Sequence, residues 1–205
     1  MQASDRLQVL CVDDEPAVLE GLEDTLHRRY HVASATSGSA ALERLRQEPR
    51  TAVIISDMRM PIMNGATFLG LARGVAPNAT RILLTGQTDL DAAVSAINTG
   101  QIFRFLSKPC SPPELLAAVD AAAEHHRLII SEKVLLEHTL RGSIKMLTNV
   151  LSLANPTAFG RATRIKESAG TLARAIGTDS VWAIEVAAML SQVAYVALPE
   201  TVTEK

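Results

Sequence analysis

Four short, largely apolar runs in this 205-residue sequence each stop at a polar side chain, and helix-patterned stretches separate them. Residues 7–12 end at Asp13-Asp14-Glu15-Pro16, Ile54-Ile55-Ser56 at Asp57, residues 81–84 at Thr85-Gly86, and residues 102–106 at Ser107-Lys108-Pro109. Runs of this length, bounded by turn residues, read as buried strands of a parallel sheet. Between the strands, residues 15–28, 39–46, 66–76 and 90–98 carry apolar side chains at three- and four-residue spacing and are bounded by Gly, Pro or Asn, which predicts helices. Five strands alternating with five helices and joined by right-handed crossovers give a doubly wound α/β fold. Such sheets keep their chemistry at the carboxyl edge, so the four polar endings are expected to meet there.

Those endings offer an acidic pair, a single acid, a hydroxyl and an ammonium. Clustered carboxylates suit a hard divalent cation with oxygen ligands, Mg²⁺ above all. In this order the four elements resemble the receiver domain of bacterial two-component response regulators, the CheY-like domain, over about residues 5–125. The resemblance implies a flavodoxin-like, five-stranded parallel sheet of order 2-1-3-4-5. It also implies that Asp57 is the phosphoacceptor, that Asp13, Asp14, Asp57 and the backbone carbonyl of Arg59 hold Mg²⁺, and that Thr85 and Lys108 bind the new phosphoryl group. Phe105 stands where the family has an aromatic that follows the threonine inward. Arg59 and Gln87 stand where side chains tune phosphoryl lifetime. The roles make physical sense, because a carboxylate approaching a phosphoryl group sets negative charge against negative charge. A metal and an ammonium must neutralise what develops on the equatorial oxygens.

Composition agrees with a cytoplasmic signalling protein. A formal charge of −2 gives no general attraction to nucleic acid or membrane, no segment is apolar over the length of a membrane span, and the first residues do not form a signal peptide. Cys11 and Cys110 follow no metal or disulfide pattern and are expected to be reduced.

The last receiver helix is expected to overrun its sheet. From Pro112-Pro113 the sequence reaches about residue 154 without a proline, and some forty residues at ~1.5 Å each make a rod of roughly 60 Å. Leu140, Ile144, Leu147 and Leu151 form a 4-3-4 apolar series, as in the seam of a coiled coil. The series could pack within its own chain; a parallel homodimer is the expectation. His125, His126 and His138 lie on the same helix, but adjacent helical histidines point about 100° apart and suit packing better than a shared metal.

Residues 126–154 therefore read as a helical linker and 155–205 as a small all-α segment. Gly160-Arg161-Ala162-Thr163-Arg164-Ile165, 172–177 and 187–199 resemble the opening helices of an HD-GYP phosphodiesterase domain, a family that degrades cyclic di-GMP. Ser191 and Gln192 stand at its metal-binding His-Asp pair, Ala194 and Tyr195 follow in place of Gly and Lys, and Arg161 replaces an expected histidine. Neutral Ser and Gln are poor ligands for a hydrolytic metal, so the segment is expected to be a non-catalytic output. A helix-turn-helix reading of 172–190 is disfavoured because Asp179, Trp182 and Glu185 would face the DNA phosphates.

Together these features predict a phosphorylation-controlled switch, served by a sensor histidine kinase and Mg²⁺ and signalling through the long helix to a helical partner surface, with a link to cyclic di-GMP proteins. The alternative is the front part of a longer cyclic di-GMP phosphodiesterase or cyclase.

Overall fold

The computed structural model describes residues 6–86, 102–178 and 181–191; Gln87, the helix expected at 90–98, Gln192, Ala194 and Tyr195 lie outside the described residues. Five strands, β1 (Gln8–Val12), β2 (His31–Ala35), β3 (Thr51–Asp57), β4 (Thr80–Thr85) and β5 (Arg104–Ser107), form one sheet. Its order is β2-β1-β3-β4-β5 and every pairing is parallel, which is the predicted flavodoxin-like fold. The described helices are α1 (Pro16–Leu26), α2 (Gly38–Gln47), α3 (Gly65–Val75), α4 (Pro112–Ala154), α5 (Pro156–Ile176) and α6 (Val181–Leu190). The chain divides into two compact units, Met1–Glu132 and Lys133–Lys205.

In the first unit a core lies on each face of the sheet. Val9, Cys11, Val53, Ile55, Ile82 and Leu84 pack against α1 and the first turns of α4, where Leu115, Val119 and Ala122 are buried. Leu10, Val12, Ile54 and Leu83 face α2 and α3 instead, around Leu42, Leu45, Phe68 and Leu69. Alternation of side chains along each strand sends successive residues to opposite cores. Every residue of β3 and β4 is buried, because both lie inside the sheet with helices on either face. A buried aliphatic or aromatic side chain contributes roughly 1.5–3 kcal/mol, so these two layers dominate the unit's stability.

Helix starts follow local chemistry. α1 begins with Pro16 at its first position, while Ser37 and Asn64 cap α2 and α3, their side-chain oxygens accepting from the Ala40 and Thr67 amides. The start of β2 is tied to α4 by Asp120, which accepts from the Tyr30 hydroxyl at 2.5 Å and from Arg29 Nη1 at 2.6 Å. His126 Nδ1 lies 2.8 Å from the Asn78 carbonyl oxygen and the His125 ring stacks on Phe103, so both histidines serve packing.

In the second unit α5 and α6 lie side by side. Gly170 is buried, and a Cβ there would collide with the Glu185 carboxylate, which pairs with Arg174 at 3.1 Å. α5 is followed by Gly177, whose φ of 75° suits only glycine without strain, and the Thr178 amide closes the helix by donating to the Ala173 carbonyl. No described helix is long and apolar enough to cross a membrane.

Candidate functional site

Register decides which strand ends meet. Val12 pairs with Ser56, Asp57 with Leu84, and Thr85 with Ser107, so Asp13, Asp57, Thr85 and Lys108 arrive together at the carboxyl edge of the sheet. The Lys108 amide donates to the Thr85 carbonyl at 2.8 Å, which holds the turn after β5 against β4. The Lys108–Pro109 peptide bond is cis.

Lys108 Nζ lies 2.7 Å from Asp13 Oδ2 and 2.6 Å from Asp57 Oδ1. Asp13 is 1% exposed and Asp57 7%, and burial at this depth penalises a carboxylate unless it is paired and hydrogen-bonded. Each has a second partner: the Glu15 amide donates to Asp13 Oδ1 at 3.0 Å, and the Arg59 amide to Asp57 Oδ2 at 2.7 Å. Burial alone would lower the Lys108 pKa, but the hydrogen bonds and charges of Asp13 and Asp57 overcome it and hold the ammonium above its ordinary range.

Thr85 is buried with its hydroxyl donating to the Gly86 carbonyl at 3.2 Å. Phe105 is half-buried against the core beside α2 and α3, and Arg59 is exposed on the loop after Asp57. The loop is closed by Met58, whose amide donates to the Leu84 carbonyl at 2.8 Å and whose carbonyl accepts from Gly65 at 3.0 Å. A Cβ at Gly65 would collide with the Asp57 carbonyl oxygen, so only glycine lets α3 begin this close to the acid. Sequence reasoning does not single out Gly65, whose signal is a glycine standing shortly after Met60-Pro61 and directly before a helix-patterned stretch.

Asp14 is exposed, and among the described residues no three His, Cys, Asp or Glu side chains are spaced to hold a metal ion. The donor chemistry nevertheless fits a hard dication. Two buried carboxylates against one ammonium leave an excess of negative charge, with oxygen atoms as the available donors.

In the second unit, Ser191 is exposed just beyond α6 and its hydroxyl donates to the Ala188 carbonyl at 2.8 Å. Leu140 and Leu147 are 52% and 55% exposed, whereas Ile144 is half-buried against its own unit, so the expected 4-3-4 series is split between two environments. Nothing is described of the Leu151 side chain.

Residues 9–120 match the response regulator receiver domain family. Among curated proteins, the hydrogenase transcriptional regulatory protein HoxA of Cupriavidus necator is 34% identical over 57% of this chain and 24% of its own length. The DNA-binding transcriptional regulator NtrC of Proteus hauseri is 32% identical over 58% and 25%. The chain thus spans about a quarter of the length of these relatives. Among solved structures, the adenylate cyclase from Rhodopirellula baltica superposes with a TM-score of 0.62 at 37% identity, covering 64% of this chain and 98% of that one. The signal receiver domain of an HD domain-containing protein from Pseudomonas fluorescens Pf-5 gives 0.56 at 37% identity, covering 60% and 98%. With its parallel sheet, its strand order and the acid–lysine cluster at the sheet edge, the chain belongs to the response regulator receiver domain family and carries the receiver domain of a two-component response regulator.

Proposed function

We propose that Asp57 is the phosphoacceptor and that the chain is a switch whose output is helical and non-catalytic. The observation that carries this reading is the single ammonium of Lys108 held between Asp13 and Asp57 at the carboxyl edge of the sheet. Receiver domains are phosphorylated by sensor histidine kinases and generally bind Mg²⁺ for that purpose. One Asp57 carboxylate oxygen forms a P–O bond as the P–N bond to the donor histidine breaks, and the departing imidazole nitrogen takes up a proton. Lys108 then turns from pairing two carboxylates to pairing phosphoryl oxygens, a charge-assisted contact that persists through transfer. Asp13, Asp14, Asp57 and the Arg59 carbonyl would hold Mg²⁺, which supplies charge neutralisation at the phosphoryl oxygens.

The Thr85 hydroxyl donates only to a neighbouring carbonyl, so it is free to turn toward the new acceptor oxygens, and half-buried Phe105 follows into the space it leaves. Arg59 and Gln87 shape water access and hence phosphoryl lifetime. The change at the β4 and β5 edge passes along α4 to the 155–205 segment, which acts as a degenerate HD-GYP-like surface, in a cytoplasmic homodimer that binds no nucleic acid. Exposed Leu140 and Leu147 support the dimer.

A second reading, in which the chain is the receiver-bearing front of a cyclic di-GMP phosphodiesterase or a cyclase, is favoured by its likeness to receivers from an HD domain-containing protein and an adenylate cyclase. Turnover of cyclic di-GMP or ATP by the natural full-length protein, abolished by chelation, would establish that reading.

Incubation with labelled acetyl phosphate and Mg²⁺ tests the primary one. Wild type should incorporate label, and Asp57→Asn should incorporate none. Undiminished label in the variant refutes the assignment.

A further inference from the structure

A cavity of about 310 Å³ lies within the second unit, walled by the 141–148 turns of α4 together with α5 and α6. Its two sides differ in chemistry. Arg141, Lys145 and Lys166 supply three cations, while Ile144, Trp182, Val186 and Met189 supply an apolar, partly aromatic wall.

Among the described residues the cations have no counter-charge of their own. Among the described residues Glu185 is the one acid in the lining, and its carboxylate is already paired with Arg174 at 3.1 Å. Among the described residues, no ion pair involves Arg141, Lys145 or Lys166. The Arg141 guanidinium instead sits 5.2 Å from the centroid of the Trp182 ring, a cation–π contact that leaves its charge available at the cavity mouth. Thr148, nearly fully buried, donates its hydroxyl to the Lys145 carbonyl at 2.9 Å, which leaves no unsatisfied hydroxyl on that wall.

Three unneutralised cations beside an indole and aliphatic side chains select an anion that also carries a ring. We propose that this cavity binds a small organic anion of nucleoside monophosphate size, its phosphate between Arg141, Lys145 and Lys166 and its base against Trp182, Val186 and Met189. The volume sits at the small end of ligand pockets, which matches one nucleotide better than two. The site goes beyond the receiver chemistry and shares no residue with it.

Trp182 is the chain's single tryptophan, so selectively excited tryptophan fluorescence of the whole protein reports on this cavity alone. The experiment titrates the full chain with 5′-AMP and 5′-GMP, exciting where nucleotides do not absorb, with inorganic phosphate and adenosine as partial ligands. The expected result is a saturable change with at least one nucleotide and little with either partial ligand. The Lys145→Gln/Lys166→Gln double variant, in which helical length and packing stems are largely kept, should weaken binding by about tenfold or more through loss of two charge-assisted contacts. Circular dichroism of that variant should match wild type, and Arg141→Gln should give a separate, smaller loss. Asp57→Asn should bind as wild type, which separates this site from the phosphoacceptor. The proposal is overturned if neither nucleotide produces a saturable change, if the charge variants bind unchanged, or if inorganic phosphate alone reproduces the full signal.

Discussion

Ile62 has a backbone φ of 69° and a fully exposed side chain, in the loop between Asp57 and α3. A β-branched residue in left-handed conformation costs roughly 1–2 kcal/mol and here gains no burial in return. Ile62→Gly should therefore raise stability by about 1 kcal/mol, less the entropy that glycine adds to the unfolded chain, measurable as a higher urea midpoint. A lower midpoint would mean that the isoleucine makes a stabilising contact. Lys108 titrates in the opposite sense to an acid. Its folded pKa is raised, so its stabilisation is complete below the ordinary lysine value of 10.5 and is lost as pH rises through the higher folded value. The thermal-midpoint gap between wild type and Lys108→Met should stay nearly constant from neutrality to about pH 10 and close above it; a gap that closes near neutrality would contradict the pairing. Asp13, Asp57, Thr85 and Lys108 were legible in the sequence because each stands at the end of an apolar run. The double pairing of Lys108 was not, since it depends on the register that sets Val12 against Ser56 and Thr85 against Ser107. Nor could the left-handed backbone at Ile62 be foreseen, because nothing about isoleucine signals it.

Elements were legible in proportion to their burial. β3 and β4, buried throughout, carry unbroken apolar signals, whereas edge strand β2 (His-Val-Ala-Ser-Ala) has only two buried residues and gives a weak pattern. β5 starts at Arg104 rather than at residue 102, because its paired register with β4 begins at Ile82 although the apolar run extends further back. The long helix ends at Ala154, just before Asn155-Pro156, where the sequence said it should. Its apolar series was less legible, since overlapping stripes on one helix do not announce which is covered. Leu140 and Leu147 are exposed while Ile144 lines the cavity of its own unit. Leu140→Lys with Leu147→Lys should thus convert the proposed dimer to a monomer in sedimentation velocity without loss of helicity, while Ile144→Lys should lower thermal stability instead. The reverse pattern would place the seam on Ile144. Cys11 illustrates how strand position governs reactivity: in β1, enclosed between β2 and β3, burial and then the Glu23 charge push its thiol up to about 12. Cys110, partly exposed after β5, is raised by burial and Glu114 but remains within reach of solvent. At pH 8 iodoacetamide should label Cys110 in the folded protein and Cys11 only after unfolding; equal labelling would mean that β1 opens readily.

At the scale of the whole molecule, Ala123 is the last of the described residues buried in either core of the first unit, well before the division after Glu132. A chain ending at Glu132 should therefore unfold in one cooperative transition and still take up phosphate from acetyl phosphate. Loss of cooperativity would show that the 133–205 unit supports the receiver. The receiver half was readable because its chemistry is spread over four strand ends in fixed order, and the second unit was not, because helices with few buried side chains leave a weak imprint on sequence. The central claim is that, of the two buried carboxylates sharing Lys108, Asp57 takes the phosphoryl group. Asp57 is the more exposed of the pair and lies at the end of β3, whereas Asp13 is almost wholly enclosed. Tandem mass spectrometry of peptides from the protein treated with acetyl phosphate and Mg²⁺, reduced with borohydride to fix the acyl phosphate as an alcohol, locates the acceptor directly. Homoserine at position 57 alone is the predicted result; homoserine at position 13, or at neither, would contradict it.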